Sequence, residues 1–189
     1  MARLERALRD RPIDLARPPP PPPGRRAAAV LLVVDPFASG LPLLFIQRGS
    51  QLSHHPGQVA FPGGAVTADD RSLADTALRE AQEEVGVEPR ALRLLGQLPT
   101  RPTHVSGFLV TPVVAAGTRR LHPRPDGVEV TRCFGLRLDE LLAAAPGERG
   151  EPVDGAAAAH PRYQLHGHTV WGVTAGILRD LLERVRATA

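Results

Sequence analysis

Lysine is absent from this chain, and all 23 of its basic residues are arginine. A guanidinium does not titrate in the accessible range, so the high isoelectric point reflects residue type, since the formal net charge is only +3. The arginines run from Arg3 to Arg186 without clustering and are balanced by 20 acidic residues. That spread lacks the basic stripe of a nucleic-acid-binding protein. Cysteine is nearly absent too: Cys133 has no partner for an intramolecular disulfide and reads as a small buried apolar residue. No apolar run reaches the ~18 residues of a membrane span, and residues 1–10 are charged where a secretory signal would be apolar. These absences point to a cytoplasmic protein with neither membrane nor nucleic acid as partner. A length of 189 residues fits one domain with a short extension.

Proline is plentiful, and six consecutive prolines occupy positions 18–23. Such a run adopts extended polyproline II structure and reads as a spacer. Residues 2–10 have room for about two helical turns, with Leu4 and Leu8 at i, i+4. The chain therefore divides into a flexible Pro-rich extension over 1–23 and a folded domain over 24–189. The apolar run 27–34 suits a central strand, and 43–48 is its partner across a hairpin connection containing Ser39-Gly40. Residues 58–61 form a short strand ending at Pro62, and Gly63-Gly64 open a loop running through Asp69 and Asp70. Ser72 is the N-cap of a helix whose apolar stripe is Leu73, Ala77, Ala81 and Val85, with Gly86 ending it. Strands are expected at 92–98, 108–115 and 128–138, and helices at 139–145 and 173–185. Mixed order without strict alternation implies an α/β fold, a mixed central sheet with helices on both faces.

The chemistry concentrates between residues 57 and 87. Glu80, Glu83 and Glu84 stand at i, i+3 and i+4, so three carboxylates share one helix face. Like charges so close repel unless a cation lies among them, and oxygen ligands suit a hard divalent ion. Arg79 can pair with Glu83 at i+4 and orient it. Upstream, Pro62-Gly63-Gly64 follows a strand, where glycine lets backbone approach a phosphate or aim a carbonyl at a metal.

Written out, the order is Gly64, five residues, Asp70, eight residues, then Arg79-Glu80-Ala81-Gln82-Glu83-Glu84-Val85-Gly86-Val87. This resembles the Nudix box, with two departures: Asp70 replaces a glutamate, and the gap to Arg79 is one residue longer, so the loop must bulge. The preceding Leu43-Leu44-Phe45-Ile46-Gln47-Arg48 and Gly57-Gln58-Val59-Ala60-Phe61-Pro62-Gly63-Gly64 look like the signature of coenzyme A diphosphatases. Gly49 and Ser53 stand where that signature usually has a serine and a second basic residue. Val170-Trp171-Gly172-Val173-Thr174-Ala175 is similar to the same group, so the resemblance spans residues 25–185.

The resemblance implies a Nudix-type α/β/α sandwich hydrolysing coenzyme A to 4′-phosphopantetheine and adenosine 3′,5′-bisphosphate. Glu80, Glu83, Glu84 and the carbonyl of Gly63 would hold Mg²⁺ or Mn²⁺, with Arg79 and Asp70 in support. Proton removal would fall to a box carboxylate, Glu80 or Glu84, or to Glu129 on a later loop. Substrate contacts are expected from Arg48, His54, His55, Gly57 and Gly64. The partner is a small diphosphate compound, and the chain is a monomer or homodimer. Rival readings are a broader nucleoside diphosphate hydrolase acting on NADH, ADP-ribose or damaged nucleotides, and a non-catalytic binding module, which would typically lack the three glutamates. His166, His168, His54 and His55 lack the cysteine partners or helical spacing of a zinc site. Trp171 and Tyr163 are each alone of their type, and Trp171 is expected to pack in the core.

Overall fold

Strand β1 (Arg26–Val34) is central because both of its faces are apolar. Ala29, Leu31 and Val33 are buried on one side of the sheet, and Ala28, Leu32 and Val34 on the other. Along one edge β1 pairs in parallel with β7 (Phe108–Gly117), from Arg26 opposite Phe108 to Val34 opposite Ala116. Its second edge is shared. β2 (Pro42–Arg48) meets β1 only where Val34 faces Leu43, then runs antiparallel to β8 (Val130–Arg137). The expected hairpin thus closes at its base and opens into a fork. β3 (Val59–Ala60) fills one side of that fork by pairing with β2, and β4 (Gly63–Ala65) fills the other by pairing with β1. β5 (Leu92–Gln97) and β6 (Arg101–Pro102) lie antiparallel on the far edge of β7. The computed structural model of the chain describes residues 1–52, 56–103, 106–144 and 161–188.

One face of this mixed sheet carries α2 (Leu73–Val85). Its N-terminus is capped as expected, the Ser72 hydroxyl accepting from the Asp75 amide, and Gly86 ends it in the left-handed conformation at φ 65°. The stripe turned to the sheet is Ala74, Ala77, Ala81 and Val85. These are small residues, so the helix backbone and its carboxylates sit close against β1 and β4. The opposite face carries α1 (Ala2–Leu8), α3 (Leu138–Ala143) and α4 (Gly172–Ala187). The result is an α/β/α sandwich. A short hairpin of β9 (Tyr163–Leu165) and β10 (His168–Val170) precedes α4. Its turn places His166 and Gly167 at φ 48° and 78°, the positive values that a two-residue hairpin of this kind requires. Among the described residues no helix is long and apolar enough to cross a membrane.

The amino-terminal segment differs from the expectation that packing begins near Gly24. Leu4 and Leu8 are each 1% exposed and join the main core with Ala7. Arg3 donates from Nε to the Val185 carbonyl at 2.7 Å, and the Gln97 amide donates to the Arg11 carbonyl at 3.1 Å. A two-turn helix has little stability of its own, and here α4 and β5 supply the surface it needs. Burying each leucine contributes about 1.5–3 kcal/mol. The proline run forms no regular element and is largely exposed.

Candidate active site

Gly63 and Gly64 do not open a loop: they continue the sheet as β4, opposite Val30 and Ala29. The reason is close approach. A Cβ on Gly63 would collide with the backbone of Ala29 and Val30, and one on Gly64 would collide with the Glu80 carboxylate. Glycine is what allows the strand to pair closely with β1 and the Glu80 carboxylate to lie directly against it.

Arg79 ties the loop after β4 to α2. Its Nε and Nη2 each donate to the Asp70 carboxylate at 3.0 Å, Nη2 also to the Ala65 carbonyl at 3.1 Å, and Nη1 to Glu80 at 2.7 Å and Glu83 at 3.0 Å. Every N–H of the guanidinium fork is therefore engaged. Asp70 is buried and also accepts from the Thr67 amide and the Thr76 hydroxyl. Burial alone would raise its carboxyl, but these donors, Arg79 foremost, outweigh it and hold the group well below the usual carboxylate range. Hydrogen bonding to Asp70 in turn raises Arg79 further above its already high value. The longer loop is absorbed by a turn in which Asp70 closes back on Thr67. Thr76, buried on α2, was missed by sequence reasoning because a lone threonine in a helix carries no signal.

Glu84 is only 4% exposed, and its recorded hydrogen bond is from the Gly63 amide at 3.0 Å. Desolvation pushes its carboxyl up to about 8, against the help of Gly63 and Arg48, with Glu80 and Glu129 adding repulsion. Glu80 is raised as well, chiefly by burial, with Glu83 and Glu129 contributing. Glu83 is mostly exposed and leans on Arg79. The strand expected from residue 128 begins only at Val130, after Glu129. Glu129 itself sits in a turn, where the Asp126 carboxylate accepts from the amides of Val128, Glu129 and Val130. The Asp126 amide donates to the Glu84 carbonyl, which docks this turn on the end of α2. Glu129 thereby comes within electrostatic reach of Glu80 and Glu84. The Asp126-Gly127 pair was the available clue to this turn.

Arg48 sits at a bulge between β2 and β8, and its Nε is buried with no hydrogen-bond partner among the described residues. Its charge lowers the Glu84 carboxyl, so it lies within electrostatic reach of the carboxylate cluster. This donor set fits a hard divalent cation. Oxygen ligands predominate, and burial raises the carboxyls of both Glu80 and Glu84, so a cation beside them would favour their charged forms. Among the described residues no three acidic, histidine or cysteine side chains are already gathered for an ion, so binding one requires adjustment of the exposed Glu83 or Glu129. For Gly63 the recorded contact with the cluster is through its amide.

The perturbation at Glu84 has a thermodynamic sign. Its folded value of about 8 lies above the ordinary 4.5, so the folded state holds the proton more tightly than the unfolded one. The stability this gives is complete below pH 4.5 and is lost as pH rises through about 8. Thermal melts in chelator should show the wild-type melting temperature falling relative to Glu84→Gln across that window. Parallel curves would show that Glu84 is not buried in its uncompensated form.

Other expected contacts fall elsewhere. His54 and His55 lie outside the described residues. Gly57, at φ 69°, lines a 360 Å³ cavity together with His168 and Trp171. His166 reaches Glu140 at 2.8 Å, and His168 stacks on Phe134. Cys133 is partly buried against the α2-side core, and burial raises its thiol. Tyr163 is in the core, 1% exposed. Trp171 is not: it is 45% exposed, which corrects the expectation. Gly172 follows it at φ 63°, a sharp change of chain direction at the entry to α4.

The profile of the NUDIX domain matches residues 24–154. A protein of Pectobacterium atrosepticum named "Uncharacterized Nudix hydrolase NudL" is 44% identical over 146 residues, 74% of this chain and 72% of that one. A protein of the same name from Klebsiella pneumoniae is 42% identical over 153 residues, 77% of this chain and 76% of its own. Among solved structures, a MutT/nudix family protein from Enterococcus faecalis superposes with a TM-score of 0.54 at 18% identity, over 90% of this chain and 66% of that one. A Deinococcus radiodurans protein gives a TM-score of 0.53 at 18% identity, over 88% and 96%. At such identity these two likenesses show a shared fold.

Proposed function

Since this chain belongs to the Nudix hydrolase family, we propose that it hydrolyses the diphosphate of coenzyme A or its derivatives, with Mg²⁺ or Mn²⁺. The observation that carries this reading is the segment Leu43–Gly64, whose coenzyme A diphosphatase-like motif runs through β2, β3 and into β4 beside the carboxylate helix. Glu80 and Glu84 would hold the cation, with Glu83 and the Gly63 backbone completing the set. When bound, a divalent ion supplies charge neutralisation at the diphosphate and acidifies water. The chain's own residues do the rest. Arg79 aims Glu80 through the 2.7 Å contact, and the Gly63 amide aims Glu84. Glu129, in a turn fixed by Asp126, accepts the proton of the attacking water. Water adds to one phosphorus, the bridging P–O bond breaks, and 4′-phosphopantetheine and adenosine 3′,5′-bisphosphate leave. Arg48, whose Nε has no partner among the described residues, is the cation for the substrate's phosphates.

The test exploits the 3′-phosphate, which coenzyme A carries and NADH and ADP-ribose lack. A charge-assisted contact to it is worth about 1.5–3 kcal/mol, roughly one to two decades in specificity. The kcat/KM for coenzyme A should exceed that for dephospho-coenzyme A at least about tenfold, and Arg48→Ala should shrink the ratio. Equal hydrolysis of both, or faster hydrolysis of NADH, would replace this substrate with a broader class of nucleoside diphosphate compounds.

A further inference from the structure

We propose that the cavity between β3 and the β9–β10 hairpin receives the nucleobase of the substrate, stacked on Trp171; this rests on the reading that the substrate is a nucleotide diphosphate.

The cavity measures 360 Å³ and is lined by Gln47, Gln58, His168, Thr169 and Trp171, with small residues between them. That volume is at the lower end for small-molecule sites, enough for a ring system with room at the mouth. Its lining contains no charged side chain among the described residues. Among those residues a phosphate would find no cation. Two amides and a hydroxyl present both donors and acceptors, which matches the edge of a neutral heterocycle. Trp171 meanwhile leaves nearly half its surface open beside this space. An indole face at a cavity mouth is a stacking platform that every base can use.

Another part of the lining is pre-set. The His168 ring lies 3.7 Å from that of Phe134 at 12°, and Phe134 stacks in turn on Phe45 in the core. Burial, aided by Arg132 and His166, lowers His168 from its ordinary value, so the ring is neutral near pH 7 and keeps a donor and an acceptor.

Position joins the cavity to the chemistry. Side chains alternate along a strand. Phe45 faces the α4-side core and Ile46 the α2-side core. Continuing that alternation, Gln47 reaches the cavity while Arg48 lies within electrostatic reach of Glu84. The two sites therefore meet around the end of β2, one residue apart. A substrate with its diphosphate at the carboxylates can turn that end and place its base against Trp171.

Because the chain has a single tryptophan, its emission reports on this site alone. Adenosine 3′,5′-bisphosphate is expected to change Trp171 fluorescence saturably, and inorganic diphosphate and 4′-phosphopantetheine are not. With coenzyme A, Trp171→Ala should raise KM roughly 5- to 150-fold, the range of one base–aromatic stack, with kcat within about twofold. Trp171→Phe should recover most of the loss, and Gln47→Ala should raise KM in the same direction. Unchanged emission with the bisphosphate, or a change driven equally by 4′-phosphopantetheine or inorganic diphosphate, overturns the proposal. The titration needs no turnover. A saturable response without coenzyme A hydrolysis supports the base site while removing the substrate assignment.

Discussion

Glu84→Gln is expected to lower kcat by ~10²-fold or more while leaving the protein folded, since each 1.36 kcal/mol of lost transition-state stabilisation is about tenfold in rate. The substitution removes a charge and little else. The Gln carbonyl oxygen can still accept from the Gly63 amide, which now meets the carboxylate at 3.0 Å. The buried position already favours a neutral group, with the carboxyl pushed up to about 8. Retained or improved melting temperature in chelator, with collapsed turnover at saturating Mg²⁺ or Mn²⁺, is the expected pair of results. Glu83→Gln should also be slow, though Glu83 is exposed and partnered by Arg79, so its loss reads out on metal affinity as well as on kcat. Near-normal turnover in both variants would remove the helix carboxylates from the mechanism.

Leu8→Ala is expected to cost about 2–5 kcal/mol, the range for emptying a buried leucine site. For a chain of this length, each kcal/mol shifts the melting temperature by ~2–4 °C. Leu8 is 1% exposed in the main core, and α1 lies close enough on β5 that a Cβ on Gly96 would press against Leu8 and the Arg11 carbonyl. Deleting residues 1–11 should be worse, because it also removes Leu4, the Arg3 contact to Val185 and the Glu5–Arg93 pair. Leu15→Ala is the internal control: at 68% exposure it should stay within about 0.5 kcal/mol of wild type. Equal melting temperatures for Leu8→Ala and Leu15→Ala would show that α1 does not pack on the domain in solution.

These two regions mark where the sequence was legible and where it was not. α2 could be read almost to the residue, because its capping serine, its terminal glycine and the pairing of Arg79 with Glu83 are all local. The central strand was equally plain from eight consecutive apolar residues within β1. The fork between β1 and β2 was not, since its cause is long-range: β8 draws β2 away, and no local pattern announces that. For the same reason Gly63-Gly64 looked like a loop when the fork makes it a strand. Asp126 hides its role because it acts on the backbone of its neighbours. Trp171 misled through composition, as a lone tryptophan between apolar residues reads as core, whereas the exposed side chain is followed by a glycine at positive φ.

The clasp between α1 and α4 sets an order of events during synthesis. Arg3 bonds to the carbonyls of Val185 and Arg186, and Arg184 to Asp10. The surface that receives Leu4 and Leu8 is thus incomplete until α4 has left the ribosome. At 5–20 residues per second, roughly 10–35 s separate the emergence of the two helices. Throughout that interval two leucines of the nascent chain stay open to solvent or to a chaperone, beside a proline run too stiff to fold back over them. A ribosome-stalled chain truncated before Gly172 should therefore leave α1 sensitive to protease, and release of the full chain should protect it.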